Sequence, residues 1–232
     1  LLLAGRNAKR LEALCETLGT NAAVVAADLT STEGVALTVR AAQAFNVNLL
    51  INNAGANSFG LLENQPWSST AQVLAISLEA PIHLTQALLP WLKALPQAAI
   101  VNIGSTFGSL PFPGFVAYSA AKAGLHGFSQ ALRRELADSL VSVVYIAPRT
   151  IDTPMNKPAV NELNRALKNR GDSPERVAGQ IIQALRRNAR EAHLGFPERF
   201  LAWLNGVAPA MIDRGLAGKL PTFPARSRAR AR

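Results

Sequence analysis

Five short apolar runs, at residues 1–4, 22–26, 48–51, 98–103 and 141–146, punctuate the chain. Each is continuously apolar, with no alternation of polar residues, which is the pattern of parallel strands covered by helices on both faces. Between the runs, apolar residues recur at helical spacing over 8–18, 31–45, 66–94 and 115–139. A further stripe of Val177, Ile181, Ile182 and Leu185 marks a helix over 174–188. Thr30 and Glu33 have the spacing of a capping box that would start the second helix. Such βα alternation predicts an α/β fold built on an open, doubly wound parallel sheet. Residues 1–195 form this domain and 196–232 an apolar and basic C-terminal extension. Pro209 interrupts the extension, and Arg226, Arg228, Arg230 and Arg232 alternate with small residues in a tail expected to be disordered.

Composition sharpens this picture. A chain of 232 residues buries one sizeable core, and 49% hydrophobic with 17% charged residues excludes a disordered protein. No uninterrupted apolar stretch reaches the roughly 18 residues of a membrane span. The net charge of +9 is uneven: residues 1–163 hold ten Lys/Arg against ten Asp/Glu, and residues 164–232 hold fourteen against five. The main domain therefore gives no hint of nucleic-acid binding. In the extension, Phe200, Trp203, Leu204, Val207, Met211 and Leu216 form an apolar succession with Arg199, Arg214, Lys219 and the terminal arginines around it. A lid or subunit interface is the first reading; weak contact with an anionic membrane surface is the second. Cys15 shares a stripe with Leu11, Leu14 and Leu18 and reads as a small buried hydrophobe, and a single cysteine suits a reducing, cytoplasmic setting. His83, His126 and His193 show no metal-ligand spacing and are read as structural, with no metal site.

The densest chemistry lies in Tyr118-Ser119-Ala120-Ala121-Lys122, with Ser105 thirteen residues before the tyrosine. Tyr118 and Lys122 are four apart in a helical stretch, so their side chains emerge on one face. A free phenol has a pKa of about 10, and a nearby ammonium is expected to lower it. Tyr118 then gives a proton to a carbonyl oxygen or takes one from an alcohol. Ser105 follows the run 98–103, at the carboxyl edge where open parallel sheets bind ligands, and Asn52-Asn53-Ala54-Gly55 follows another run on the same edge. The bland alternative is an amphipathic helix in which Tyr118 packs and Lys122 is solvated.

Together these residues resemble the short-chain dehydrogenase/reductase family over about residues 1–195. The resemblance implies a Rossmann-like sheet ordered three-two-one-four-five-six and a nicotinamide dinucleotide. It places Ser105, Tyr118 and Lys122 on the catalytic serine, tyrosine and lysine, with Lys122 also on the nicotinamide ribose. Residues 1–6 look like the second strand and the turn at the adenosine ribose, and Asp28-Leu29 like the pair at the adenine. Asn53, Ala54 and Gly55 fall in the motif that lies against the cofactor. Pro148 to Thr153 resembles the segment whose Ile151 backbone and Thr153 hydroxyl meet the nicotinamide carboxamide. Arg6, with Arg10 a turn later and no carboxylate between, favours NADP(H) over NAD(H), because an arginine there suits a 2′-phosphate.

Three departures accompany the match. The Gly-rich phosphate loop and first strand are missing from the sequence as given, which reads as though it begins inside a strand; a truncated form of a longer protein is expected. Ser77 stands where the family's tetrad asparagine helps hold a relay water, a role its backbone carbonyl can still serve. Arg149 replaces the usual glycine after Pro148 and would put a cation near the cofactor's approach. Phe107, Phe112 and Phe115 lie between Ser105 and Tyr118, so a small apolar or partly apolar carbonyl or alcohol substrate is expected. The family habit implies a homo-oligomer through helices 66–94 and 115–139. The reading is an oxidoreductase moving hydride between NADP(H) and a carbonyl or secondary alcohol, and the rival is a non-catalytic dinucleotide sensor on the same fold.

Overall fold

A computed structural model describes residues 1–167, 169–187 and 189–217. In chain order the elements are β1 (Leu2–Gly5), α1 (Ala8–Leu18), β2 (Ala23–Ala26), α2 (Thr32–Ala44), β3 (Leu49–Asn52), α3 (Trp67–Leu74), α4 (Ala80–Lys93), β4 (Ala98–Ile103), α5 (Val116–Glu135), β5 (Val141–Ala147), α6 (Pro158–Ala166), α7 (Pro174–Arg186), β6 (Glu191–His193), α8 (Glu198–Val207) and α9 (Pro209–Ala217). All pairings between these strands are parallel. One sheet has the order β3-β4-β5-β6; β1 and β2 form a separate pair with no ladder to the first sheet among the described residues. The terminal arginines and Lys219 lie outside the described residues.

The continuous apolar runs have a direct cause. Ile100 and Val143 point to one face of the sheet, against Leu88 and Leu92 of α4 and Leu132 of α5. Their neighbours Val101, Ile103, Val144 and Ile146 point to the other, against Ile181, Ala184 and Leu185 of α7. Successive residues of a strand face opposite sides, so a sheet covered twice needs apolar residues at every position.

Four local expectations are corrected. Ser31, not Thr30, caps α2: its hydroxyl accepts from Gly34 N at 3.0 Å. Thr30 is already bound, giving both its N–H (2.9 Å) and its hydroxyl (2.7 Å) to Asp28 Oδ1. The helix over 66–94 is one rod from Trp67 to Lys93, but a π turn, Ala75–Glu79, divides it. By length and mean hydropathy this rod passes for a membrane span, yet Leu84, Leu88 and Leu92 are buried in the protein core. The α1 stripe is not a core stripe: the helix has no buried residue, Leu14 and Leu18 are exposed, and Cys15 is half-buried. Its support is only the narrow β1–β2 pair. Finally, β6 escapes detection in the sequence because Glu191-Ala192-His193 contains no apolar run.

Candidate active site

Parallel strands deliver their carboxyl ends to one edge, and the predicted site residues follow those ends. Asn53-Ala54-Gly55 follow β3, Ser105 follows β4 and Pro148 follows β5; Arg6 follows β1 and Asp28 lies two residues beyond β2. Arg6, Asp28, Asn53 and Ala54 are exposed. Arg6 lies close enough to hold the Asp28 carboxyl below its ordinary range, after the larger effect of the two Thr30 hydrogen bonds. Leu29 is instead buried with Ile76 and Ala80, where it joins the β1–β2 side to the central helices.

Ser105 opens the short turn Thr106–Gly108, accepting from Phe107 N at 3.2 Å. Its hydroxyl also lies within hydrogen-bonding reach of the Tyr118 hydroxyl. Lys122, one turn after Tyr118, is only 4% exposed. Its ammonium donates to the Ile103 carbonyl at 2.8 Å and sits 5.8 Å from the centre of the Tyr118 ring. The three side chains brought together by sequence reasoning are therefore brought together in space. One electrostatic expectation is reversed: burial pushes the Tyr118 phenol up from its ordinary value, and the opposing influence is the Ser105 hydrogen bond. Lys122 is buried in its turn, and desolvation lowers its pKa to about 8.

Ser77 sits in the π turn and is fully buried. Its hydroxyl accepts from Ala56 N and donates to Ala56 O, both at 3.2 Å, pinning the loop that follows β3. A methyl group on Gly55 would lie 3.5 Å from Ser77 Oγ and 3.8 Å from Lys122 Nζ, so these three residues enclose one small space. Four residues after Ser77 stands Pro81, which has no N–H to give back to the Ser77 carbonyl. Single π turns recur at functional sites in helices, and this one faces the candidate centre.

Arg149 is tied to two carboxylates. Its guanidinium holds Asp172 through Nε–Oδ2 at 2.6 Å and Nη2–Oδ1 at 2.9 Å, and reaches Glu198 of α8 at 3.4 Å. This contact keeps the Asp172 carboxyl below the usual range. Asp172 also pairs through its backbone with the Thr150–Asp152 segment, donating to Thr150 O and accepting from Asp152 N, each at 2.9 Å. Ile151 and Thr153 are thus held on a braced loop. Ile151 O accepts from Asn156 at 2.7 Å, and Pro148 O accepts from Thr106.

Around Tyr118 the aromatic wall is real and larger than expected. Phe59, Phe107, Phe112 and Phe115 cluster with it, together with Val160, Leu163 and Leu167. Phe107 and Phe115 present edges to the Tyr118 ring at 6.4 and 6.5 Å. Of the extension, Asn205 donates to Ser109 O at 3.0 Å, next to this wall. However, α9 lines an apolar cleft of about 530 Å³ with Pro111, Val116, Ala120 and Ala123, on the flank of α5 turned away from Tyr118. Phe200, Trp203, Val207 and Met211 are exposed, and the rings of the first two lie 5.8 Å apart.

Two groups escaped the sequence reading. Asn52 of β3 donates to Asn102 Oδ1 (2.8 Å) and Thr85 (3.1 Å), and Asn102 donates to Ser129 (2.8 Å), a buried ladder from β3 through β4 to α5. Asn102 inside one apolar run and Asn52 directly after another were the available signal, since buried amides need partners. The second group is a juxtaposition that the histidine spacing did not reveal. His126 and His193, 67 residues apart, converge on Glu191, while His83 stays elsewhere.

Comparison with known proteins settles the family. The sequence profile described as short chain dehydrogenase matches residues 1–164. The chain belongs to the short-chain dehydrogenase/reductase family. This short-chain dehydrogenase/reductase is therefore an oxidoreductase-family protein with an NAD(P)-binding fold. It is 30% identical to an uncharacterised oxidoreductase of Staphylococcus epidermidis over 159 residues, covering 68% of this chain and 69% of the relative. It is also 30% identical to dehydrogenase/reductase SDR family member 7B of Bos taurus over 237 residues, covering 94% and 73%. Among solved structures, a short-chain dehydrogenase from Streptomyces avermitilis superposes with a TM-score of 0.78 at 25% identity, covering 94% and 87%. A Burkholderia phymatum family member in complex with NAD gives 0.80 at 21% identity, covering 91% and 85%, a likeness of fold alone.

Proposed function

We propose that this protein interconverts a carbonyl and a secondary alcohol with NADP(H), Tyr118 exchanging the proton. The observation that carries the reading is the convergence of the Ser105 hydroxyl, the Tyr118 phenol and the Lys122 ammonium at the carboxyl edge of β4. The residues present fit a dinucleotide at both ends: exposed Arg6 and the exposed Asn53-Ala54 backbone lie on one edge with the braced loop Pro148–Thr153. No Gly-rich phosphate cradle occurs among the described residues. Bound NADPH would supply a hydride to the carbonyl carbon.

Tyr118, kept protonated by burial, gives its proton to the substrate oxygen, and Ser105 donates a hydrogen bond to that oxygen. Lys122, anchored on Ile103 O, supplies positive charge beside the phenolate that remains. Ser77, whose carbonyl receives no N–H from Pro81, would help hold a water next to Gly55 and Lys122 through which that proton is replaced. Arg6 supports NADP(H), since its charge complements a 2′-phosphate and no carboxylate lies between it and Arg10. The aromatic wall supports a small apolar or partly apolar substrate. A homo-oligomer through the Trp67–Lys93 rod and α5 is part of this reading, with the outward apolar face of α8 and α9 as a second contact surface and weak, salt-sensitive attraction to anionic lipid as its by-product. Steady-state assays of the full chain with NADPH and NADH against a panel of alkyl and aryl ketones test the reading. Turnover of at least one ketone is expected; cofactor binding without turnover of any would favour the sensor.

A further inference from the structure

We propose that His126, Glu191 and His193 form a binding site for a divalent transition-metal ion of the zinc class. Glu191 and His193 are the first and third residues of β6, so their side chains leave the strand on one face. His126 reaches them from α5, one turn beyond Lys122. The Nε2 atoms of both histidines lie 2.8 Å from a single oxygen, Glu191 Oε1. The candidate ligand atoms all lie within 4.8 Å of one another. Two imidazoles and a carboxylate are the donor set of a borderline-soft ion; magnesium and calcium take oxygen ligands. A tetrahedral ion with bonds of roughly 2.0–2.2 Å would separate its ligands by about 3.4 Å. Each imidazole nitrogen therefore needs to part from Glu191 Oε1 by only about half an ångström.

The surroundings favour the same reading. The ring of His126 stacks on buried Tyr145, with centres 4.4 Å apart, and His193 meets both rings edge-on. The tyrosine is itself wedged under Gly104, where a methyl group would fall 2.2 Å from its ring. Both imidazoles are consequently held in orientation. Gln130 closes the cluster from the side, its amide donating to Glu191 Oε2 at 3.5 Å. His126 Nε2 faces Glu191 Oε1, an acceptor, and Gln130 Nε2, a donor, at 3.1 Å. One ring nitrogen carries either a proton or a lone pair and serves only one of them. With its amide turned, Gln130 would offer Oε1 to an ion as a fourth ligand. The side chains of His126, Glu191 and His193 are 20%, 28% and 19% exposed, so an ion has access from solvent. His193 Nδ1 is buried with no protein partner. An unsupported ligand of this kind weakens a site by about 10–100-fold, so affinity in the micromolar range is expected. Occupancy would fasten β6, at the end of its sheet, to the helix that carries Tyr118 and Lys122.

The test is calorimetric titration of the full chain with Zn²⁺, paired with thermal melts and the visible spectrum of added Co²⁺. The expected result is one saturable site, a higher melting temperature, tetrahedral Co²⁺ bands and no competition from excess Mg²⁺. In His126→Gln/His193→Gln, affinity should fall at least tenfold while a cooperative metal-free melt persists. If that variant does not melt cooperatively, the Co²⁺ spectrum of the unaltered chain decides, since imidazole nitrogen ligation is visible there. Absence of saturable uptake, or uptake undiminished in the folded double variant, overturns the site and leaves a hydrogen-bonded clasp. The readout is metal uptake, so it succeeds or fails independently of hydride transfer.

Discussion

Arg149 clasps Asp172 through two parallel hydrogen bonds, 2.6 and 2.9 Å long, directly behind the loop that runs from Pro148 to Thr153. The carboxylate is 6% exposed and the arginine 23%, so the pair is largely withdrawn from water. Gly195 makes room for it: a side chain there would meet Arg149 Cδ at 2.8 Å, and its φ of +102° is itself unsuited to other residues.

Arg149→Ala should therefore destabilise the fold by about 2–3 kcal/mol, because it leaves the buried carboxylate to the exposed Arg176, 3.5 Å away. Arg149→Lys should recover only part of this, since an ammonium cannot reproduce the fork. Asp172 has a folded pKa below its ordinary 3.8, so its contribution is present above about pH 3.8 and lost as pH falls through the lowered value. Urea melts of wild type and Arg149→Ala from pH 7 to pH 3 check this: the gap between them should narrow at the acidic end.

Lys122 gives a second pH effect of the same sign, in the alkaline range. Its folded pKa of about 8 lies below the ordinary 10.5, so between those values the unfolded chain binds more protons than the folded one. The charged form is penalised below pH 8, and stability contributed by this group should rise with pH from about 8 to 10.5, by at most about 3 kcal/mol. Lys122→Met should flatten that rise. Denaturant melts of both proteins across the alkaline range make the comparison.

Asn102 has no part in the chemistry but joins β3, β4 and α5 from a fully buried position. Asn102→Ala should cost about 2–3 kcal/mol, since it leaves the Asn52 amide short of an acceptor in the interior. Equilibrium unfolding measures it. A loss within about 0.5 kcal/mol, the size of a neutral surface change, would mean that the amides are satisfied by other means.

Arg6→Asp should weaken NADPH more than NADH, replacing a partner of the 2′-phosphate with a repelling charge. Dissociation constants for both dinucleotides at one ionic strength give the ratio, which should fall toward or below unity. An unchanged ratio would mean that Arg6 only faces solvent and the Asp28 carboxylate.

The sheet was legible because strands buried on both faces write themselves as unbroken apolar runs: Ile100 and Val101 point opposite ways, yet both must be apolar. Ser105, Tyr118 and Lys122 were legible because a helical turn fixes a four-residue spacing and a strand end fixes an edge. What stayed hidden depends on long-range partners. Nothing near Arg149 in sequence announces Asp172, 23 residues on, and nothing near His126 announces Glu191, 65 residues on. The π turn was hidden too, although Pro81 removes a helical donor and marks where the register breaks. The phenol's direction of shift failed because charge proximity was weighed without the burial of both partners.

The central claim is that Tyr118 moves the proton. Turnover of Tyr118→Phe, measured beside NADPH affinity on a ketone the wild type reduces, tests it most directly. Loss of an acid/base group should lower kcat by about 10²–10⁴-fold while NADPH binding stays within a few fold. Near-wild-type turnover by the phenylalanine variant would contradict the claim.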